Sequence, residues 1–324
     1  MMKRLMLMWL LMLSVSFVAC SEGGPEEEPT PKPEIDYTED ITAHIDANFA
    51  KELQRHKLIA NALRITRADV RKIEKIDFVY GDLLITYDPI TSLRGIEYFE
   101  SLKKLRCDCH KLTSVDLSRN PLLEEVSLEQ NQLSSVQFGA NDCLKWVYLT
   151  NNKLSSLDFS QCPELRWLYC GQNSSLGALN ISSCTKLERL VALQGKLKSL
   201  AVDHCPNLEW LHVGINALTK LDVKQNPKLQ LLHCEGNPIS EIDMGGNAEL
   251  TEFDCSSCQI KKLNISNNRK LNIFTPHWNP GEGGRLVVEA WFDDQTKPDF
   301  IRHLSSTYEY NGQTVVIEYR KVAD

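Results

Sequence analysis

The feature that most constrains the fold is a short residue pattern that occurs eight times in succession between residues 102 and 270. Successive copies begin 21 residues apart, and the copy that begins at Leu165 carries one extra residue. A single copy is too short to bury an apolar face alone, so such copies are expected to stack on one another. The chain is therefore predicted to form a solenoid whose core aligns the leading leucines: Leu102, Leu123, Leu144, Leu165, Leu187, Leu208, Leu229 and Leu250.

Within each copy the residues follow the pattern LxxLxLxxNxLxxLxLSxN. This pattern resembles the leucine-rich-repeat signature. A coil of 21 residues has room for one strand, two turns and a short extended or 3₁₀ segment, but little room for a helix. The repeats also resemble those of bacterial surface proteins of the internalin J type, which show a cysteine ladder. The expected fold is a mainly β, right-handed leucine-rich-repeat solenoid with a helical N-terminal cap and a small β-containing C-terminal cap.

The segment before the repeats, residues 41–101, is predicted to be the N-terminal cap, because a solenoid end exposes an apolar cross-section. We expect helix from Ile41 to about Lys75, with a second helix opened by a capping box at Thr66 and Asp69. Degenerate repeats are expected from 76 to 101. The phrase GIEYF at 95–99 resembles the entry to bacterial repeat proteins with an EF-hand-like loop. The preceding HKLIANALRIT lacks carboxylates, so no calcium site is predicted.

The segment after the repeats, residues 271–324, departs from the leucine pattern and is predicted to be the C-terminal cap. Two runs rich in β-branched residues, 285–291 and 314–319, predict strands. A short helix is expected between Lys297 and Ser305. About fifty residues are marginal for an independent core, so a separate ligand-binding domain is the weaker alternative.

The N-terminus predicts export. Residues 1–19 have the basic start and short apolar run of a signal peptide, and Cys20 follows directly after them. The sequence FVAC at 17–20 resembles a bacterial lipobox, which implies lipidation of Cys20; the alternative is an ordinary secreted protein. Residues 20–40 form an acidic, proline-rich tether that resembles those of Bacteroidetes surface lipoproteins. We expect an outer-membrane lipoprotein exposed at the cell surface, which contacts the membrane only through its anchor.

Two positions of the repeat predict interior ladders, counting the leading leucine as position one. Equivalent residues of successive coils stack, and an inward asparagine can bond backbone groups of the neighbouring coil that would otherwise be unpaired. Position nine holds His110, Asn131, Asn152, Asn173, Gly195, Asn216, Asn237 and Cys258. Position nineteen holds Asn120, Asn141, Cys162, Cys184, Cys205, Asn226, Asn247 and Asn268. A disulfide is conceivable among Cys162, Cys184 and Cys205, which lie on adjacent coils. Free thiols are favoured, because in-register neighbours rarely meet the geometry that a disulfide requires.

Positions three and five carry the predicted function, because strand side chains alternate and these two point away from the core. Between 146 and 212 they are crowded with aromatic residues on an expected concave sheet. Exposed aromatic patches mark interaction sites, and Trp, Tyr and Arg are enriched at binding hot spots. The predicted binding residues are Trp146, Tyr148, Trp167, Tyr169, Arg189, Trp210, His212 and His233.

The predicted partner is a protein or peptide, because solenoid faces offer extended surfaces to protein partners. A glycan stacked on the same aromatic rings is an alternative. A structural spacer, with any ligand held by the C-terminal segment, is another. The aromatics can also simply suit strands and pack sideways. A formal net charge of −7 argues against nucleic acid.

An enzyme is not predicted, since the sequence contains no Ser-His-Asp order, phosphate loop or paired-carboxylate signature. His212, His233 and Asp254 fall at position five of successive copies, and two histidines with a carboxylate can hold a transition metal. They would lie on an open face without an evident supporting shell of hydrogen bonds. The sequence therefore predicts no metal and no cofactor.

Overall fold

A computed structural model describes residues 35–78 and 89–322 of the chain. The predicted signal peptide at 1–19, the lipidated Cys20, most of the tether at 20–40 and part of the degenerate repeats at 76–101 lie outside the described residues. Residues Tyr37–Asp324 form one compact unit. Among the helices of the described residues, none is long and apolar enough to cross a membrane.

Short strands dominate the described residues. In chain order they are β1 (Lys75–Asp77), β2 (Lys104–Arg106), β3 (Ser114–Asp116), β4 (Glu125–Ser127), β5 (Ser135–Gln137), β6 (Trp146–Tyr148), β7 (Ser156–Asp158), β8 (Trp167–Tyr169), β9 (Ala178–Asn180), β10 (Arg189–Val191), β11 (Trp210–His212), β12 (Leu231–His233), β13 (Glu252–Asp254), β14 (Lys262–Asn264), β15 (Ile273–Thr275), β16 (Arg285–Ala290), β17 (Thr307–Tyr310) and β18 (Gln313–Lys321). The helices are α1 (Ala47–Arg55), α2 (Arg67–Val70) and α3 (Asp299–Arg302), with 3₁₀ turns at Thr42–His44 and Ile96–Tyr98.

One parallel sheet runs along the solenoid and positions the predicted site. Its ten strands follow the order β1-β2-β4-β6-β8-β10-β11-β12-β13-β15. Each strand contributes three residues, of which the middle one is buried, as in β6 and β8. The flanking residues point away from the core because side chains alternate along a strand. The predicted mainly β solenoid is confirmed, and all eight leading leucines are buried.

The long sheet continues one strand beyond the leucine pattern. β15 pairs in register with β13, and Leu271 and Phe274 are buried at positions one and four of a further coil. Asn279 falls at position nine of this coil and makes the position-nine hydrogen bonds described below. Pro276 and the glycines at 281–284 hide this coil in the sequence, because they break the pattern that follows it.

The C-terminal segment adds a second sheet to the opposite side of the last coils. β14 pairs with β16 and β16 with β18, both in parallel, and β17 closes the edge antiparallel to β18. The strands expected at 285–291 and 314–319 and the short helix between them are present. β17 was not predicted. Its sequence, TYEY, is a four-residue alternation too short to stand out.

The N-terminal cap is less helical than the sequence predicts. α1 begins at the N-cap Asp46, whose carboxylate accepts hydrogen bonds from the backbone N–H groups of Asn48 and Phe49. It ends at Arg55, because Lys57 adopts a left-handed conformation and the Leu58 N–H bonds the Leu53 carbonyl at 2.9 Å. Helix is resumed only at α2, where the predicted capping box is present. The helix expected from 41 to about 75 is therefore present only at 47–55 and 67–70, with a 3₁₀ turn at 42–44, and the prediction is wrong for the rest of that range.

Buried asparagines at position nine join each coil to the one before it. The Asn173 side chain donates to the carbonyls of Leu149 and Cys170 at 3.0 and 2.9 Å, and its Oδ1 accepts from the Leu154 N–H at 3.0 Å. The same set of bonds recurs in other coils, whereas the coils that begin at Leu187 and Leu250 carry Gly195 and Cys258 at this position. The asparagines that repeat it are Asn131, Asn152, Asn216, Asn237 and Asn279. The interior ladder predicted from the sequence is thereby confirmed, and it satisfies backbone groups that have no strand partner.

The cysteines at position nineteen take the place of asparagine without forming disulfides. Cys162, Cys184 and Cys205 are free thiols in the core. The Cys205 Sγ approaches the Cys184 carbonyl at 3.5 Å, where the asparagines of this ladder donate to the same carbonyl of the preceding coil. Burial raises the pKa of each of these three thiols to about 12. They are therefore structural residues held as unreactive thiols.

A left-handed residue precedes the asparagine ladder in coil after coil. Position eight has a positive φ throughout, at Cys109, Gln130, Asn151, Gln172, Gln194, Ile215, Gly236, Ser257 and Trp278. This conformation explains Cys109, which fits no interior ladder. Glycine and asparagine tolerate it, whereas a β-branched side chain is strained there. Ile215, at φ 55°, is the β-branched member of the set and is half exposed.

Replacing Ile215 by glycine should therefore stabilise the protein by about 1 kcal/mol, because glycine removes the strain at φ 55°. Ile273 provides a matched control, since it is equally exposed (50%) but lies in extended β15. Ile273→Gly should destabilise the protein. Urea unfolding of both variants measures the two effects, and a loss of stability on Ile215→Gly would show that position eight carries no strain.

Candidate binding surface

Six side chains on the outward face of the long sheet form what we call the aromatic surface: Trp146, Tyr148, Trp167, Tyr169, Arg189 and Trp210. They lie on the adjacent strands β6, β8, β10 and β11. Strand register sets Trp146 beside Trp167 and Arg189 between Trp167 and Trp210. The residues predicted from positions three and five are thus brought together as one continuous surface.

Arg189 is the centre of the aromatic surface. Its guanidinium carbon lies 4.5 Å from the ring centroid of Trp167 and 4.2 Å from that of Trp210. Cation–π contacts within about 6 Å of a ring are attractive, and two opposed contacts hold the guanidinium plane in place. The sequence predicted the presence of these three residues but not this sandwich, which depends on strand register across three coils.

The two tyrosines form a parallel stack beside the tryptophans. Their ring centroids are 5.3 Å apart with an interplanar angle of 24°. Burial raises the pKa of the Tyr148 hydroxyl, and the nearby carboxylate of Glu125 acts in the same direction. The Tyr148 hydroxyl is therefore a neutral hydrogen-bonding group at physiological pH.

The sequence predicts an exposed patch, whereas in the structure these side chains are half-buried against one another. Trp210 is the most open of the three tryptophans, with 36% of its surface exposed. Rings one coil apart cover part of each other because neighbouring strands lie about 4.8 Å apart. The surface is consequently rigid, since each side chain is held by the rungs beside it.

A row of paired charges at position two borders the aromatic surface. Lys145 bonds Glu124 at 3.0 Å, and Arg166 pairs with Glu188 one coil apart. Glu188 also accepts a hydrogen bond from the Trp167 indole N–H at 3.2 Å. These contacts satisfy the indole and keep its ring upright. Position two was not predicted to contribute, although the sequence contains a signal, since every residue at this position from 103 to 209 is charged and both signs occur.

Polar residues close off the N-terminal end of the surface. Asp108 is buried and accepts hydrogen bonds from the Ser127 hydroxyl at 2.7 Å, the Glu129 N–H at 2.9 Å and Arg106 Nε at 2.9 Å. These groups are satisfied by one another. The aromatic surface is therefore bounded here by a closed hydrogen-bond network.

Two histidines lie at the opposite end of the surface. His212 and His233 pair in register on β11 and β12, with ring centroids 4.9 Å apart. The expected third group, Asp254, is not with them, because its Oδ1 accepts from the Ser256 N–H at 2.8 Å. Glu235 lies there instead, with Oε1 3.1 Å from His212 Nε2. Glu235 was not predicted from the sequence because it falls after the strand, where alternation no longer gives direction.

Comparisons with known proteins bear on the fold. No protein-family model matches the chain, and neither does any curated protein. Internalin C2 of Listeria monocytogenes is similar in structure at 18% identity and a TM-score of 0.53, covering 72% of this chain and 95% of its own. The functional domain of InlJ from the same species, which includes a cysteine ladder, matches at 21% identity and a TM-score of 0.43, over 80% of this chain and 69% of its own.

A plant receptor gives a similar match. The peptide hormone receptor RGFR1, in complex with RGF2, is similar at 22% identity and a TM-score of 0.52, over 59% of this chain. This chain spans 34% of that receptor's length. At these identities the likeness concerns the fold. Together with the 21-residue coil and its buried leucine and asparagine ladders, it shows that this chain has the fold of the leucine-rich-repeat proteins, as the internalins do.

Proposed function

We propose that this protein is a cell-envelope lipoprotein that binds a protein or peptide on its aromatic surface. The observation that carries the proposal is Arg189 held between Trp167 and Trp210 on the open face of a rigid sheet. Tryptophan, tyrosine and arginine dominate the energetics of protein interfaces. Preformed side chains lose little conformational entropy on binding, which favours affinity.

The orientation of the rings favours a protein partner over a glycan. Sugars stack on the faces of aromatic rings. Here one face of Trp167 and one of Trp210 are covered by the Arg189 guanidinium, and Tyr148 and Tyr169 cover each other. Among the groups left for a partner are ring edges, hydroxyls and the guanidinium rim, which suit peptide carbonyls, carboxylates and apolar side chains. RGFR1, whose fold is similar, binds a peptide hormone.

The remaining parts of the proposal follow from the sequence. The signal peptide that ends at Cys20 supports lipid anchoring, and the acidic tether at 20–40 supports display away from the membrane. An outer-membrane location exposed at the cell surface would bring the aromatic surface to host or neighbouring-cell proteins. Adhesion is the role that best combines an anchor, a tether and a binding face.

Binding of peptides tests the aromatic surface directly. Peptides selected on the full chain from a displayed random library should bind the wild type, and Trp210→Ala should weaken that binding by about 30-fold or more, because it removes one wall of the Arg189 sandwich. Isothermal titration calorimetry gives the affinities. Trp278→Ala is the matched control, since Trp278 is 53% exposed outside the aromatic surface.

Three outcomes would contradict the proposal. Equal losses for Trp210→Ala and Trp278→Ala would mean that exposed tryptophans bind peptides without distinction. Peptide binding that depends on residues 285–321 would favour the spacer with a C-terminal ligand site. Binding to an oligosaccharide array that is lost in Trp210→Ala, with no peptide binding, would establish the glycan alternative.

A further inference from the structure

A cluster of potential metal ligands lies directly beside the aromatic surface. One ligand atom each from His212, His233 and Glu235 lies within 4.8 Å of the other two. All three side chains are half-buried, with 21–26% of each exposed. The cluster is therefore reached from solvent but shielded on the side of the sheet.

Glu235 reaches this position because the preceding coil has no side chain in its way. It lies in the turn after β12, and its carboxylate lies over Gly214 of the coil before. A Cβ atom at Gly214 would lie 1.9 Å from Glu235 Oε1. Among the described residues, Glu235 Oε2 is buried and has no hydrogen-bond partner. A buried carboxylate oxygen without a donor is costly, and a bound cation would satisfy it.

A second carboxylate supports the cluster from outside. Glu252 Oε1 lies 2.8 Å from His233 Nε2 and holds that ring by a hydrogen bond. Metal-bound histidines characteristically make such a bond to a carboxylate through the nitrogen that does not bind the metal. The supporting hydrogen bond whose absence argued against a metal in the sequence is thus present, and Glu235 takes the place expected for Asp254 as the third ligand.

We infer that His212, His233 and Glu235 form a binding site for a divalent transition-metal ion of the Zn²⁺ class, with Glu252 orienting His233. Two imidazoles and one carboxylate suit zinc, nickel and copper rather than magnesium or calcium, which prefer all-oxygen sites. Ligand atoms around a tetrahedral zinc ion lie about 3–3.5 Å apart, so small side-chain rotations from the observed spacing complete the site.

Three protein ligands leave the fourth position of a tetrahedral metal open. Because the three side chains are partly exposed, that position would be open to solvent, and Trp210 lies nearby on the same strand as His212. Water would fill it in the free protein, and a carboxylate or imidazole of a bound partner could replace that water. Metal binding itself does not rest on the proposed function, because its ligands all belong to this chain.

Titration of the full chain, prepared without an affinity tag, with Zn²⁺ tests the inference. Competition against a chromophoric zinc chelator should show one site with a dissociation constant of about 1–10 µM or tighter, as for three-ligand sites. His233→Ala and Glu235→Gln should each weaken binding by about 100-fold, and Glu252→Gln by about 10-fold. Mg²⁺ should not compete.

The controls separate this site from other zinc-binding groups and from the aromatic surface. His303→Ala removes an exposed histidine outside the cluster and should leave the affinity unchanged. Cys109→Ser removes the exposed thiol and should also change nothing. Trp210→Ala should keep zinc binding while it loses peptide binding, so failure of one proposal can be told from failure of the other.

Circular dichroism confirms that each variant is folded before its affinity is read. Gly214→Ala supplies a further test, because its new methyl group displaces the Glu235 carboxylate without removing a ligand. It should weaken zinc binding by about 10-fold or more. Absence of binding by the wild type at about 100 µM Zn²⁺, or binding that persists in both His233→Ala and Glu235→Gln, overturns the inference.

Discussion

Replacing Asn173 by alanine should lower the free energy of unfolding by about 3–5 kcal/mol. The side chain is fully buried and bonds three carbonyls and one N–H, at Leu149, Cys170, Gly171 and Leu154. Each buried group that loses its partner costs about 1–3 kcal/mol, and alanine supplies no replacement. Two of these four groups, at Leu149 and Leu154, belong to the preceding coil, so the variant also weakens the interface between coils.

Urea unfolding measures this effect, with the midpoint and the slope read together, because a solenoid can lose cooperativity as well as stability. Asn267→Ala is the control, since Asn267 lies exposed in a turn and should change stability by less than about 0.5 kcal/mol. Asn173→Cys should cost less than alanine, because Cys258 occupies the same position and approaches the Cys234 carbonyl at 3.3 Å. Equal costs for the two Asn173 variants would show that a thiol does not substitute for the asparagine side chain in this ladder.

Lowering the pH from 7 to 4 should destabilise the wild type by about 2 kcal/mol more than His110→Asn, since a tenfold change in proton affinity corresponds to about 1.4 kcal/mol. His110 takes position nine in the first coil, and its Nδ1 accepts a hydrogen bond from the Ile90 N–H at 3.2 Å. Burial lowers its pKa from 6.5 to about 4, while a backbone hydrogen bond with Phe78 acts in the opposite direction.

The direction of this effect follows from where each state takes up a proton. Below pH 6.5 the unfolded chain protonates its histidine, whereas the folded protein does so only near pH 4. The contribution of His110 is therefore complete above pH 6.5 and is lost as the pH falls from 6.5 to 4. Asparagine at this position cannot titrate and matches the other coils.

Unfolding free energies of wild type and His110→Asn at several pH values between 7 and 4 isolate this contribution. His303→Asn controls for removal of a histidine from the surface. If wild type and His110→Asn lose stability in parallel down to pH 4, other groups account for the acid sensitivity and the prediction is wrong.

The interior of this protein could be predicted almost residue by residue. Each position of the repeat occurs many times, so the role of Asn173 in one coil is supported by asparagines such as Asn152 and Asn216 in others. Conformation was harder to predict. The left-handed conformation at position eight was not predicted, because residues as different as Gln130 and Ile215 occupy that position. Side-chain identity does not indicate the backbone conformation there.

The candidate site could be predicted only in part. Alternation along a three-residue strand correctly placed Trp167, Arg189 and Trp210 on one face. Alternation did not predict the direction of the Glu235 side chain, because Glu235 lies in a turn after the strand. Its carboxylate reaches the preceding coil at Gly214. The available signal was a pair of residues at the same position of neighbouring coils, a glycine at 214 and a long carboxylate at 235.

The asparagine ladder also bears on the order in which the coils can fold. Every bond that Asn173 makes across coils runs to residues earlier in the chain, at 149 and 154. The same holds for Asn237, whose bonds reach back to 213 and 218. A new coil therefore docks on the coil already made, and in docking it supplies the partners that the earlier coil still lacks, as Asn173 does for the Leu149 carbonyl and the Leu154 N–H. This arrangement suits folding in chain order, with each coil serving as the template for the next.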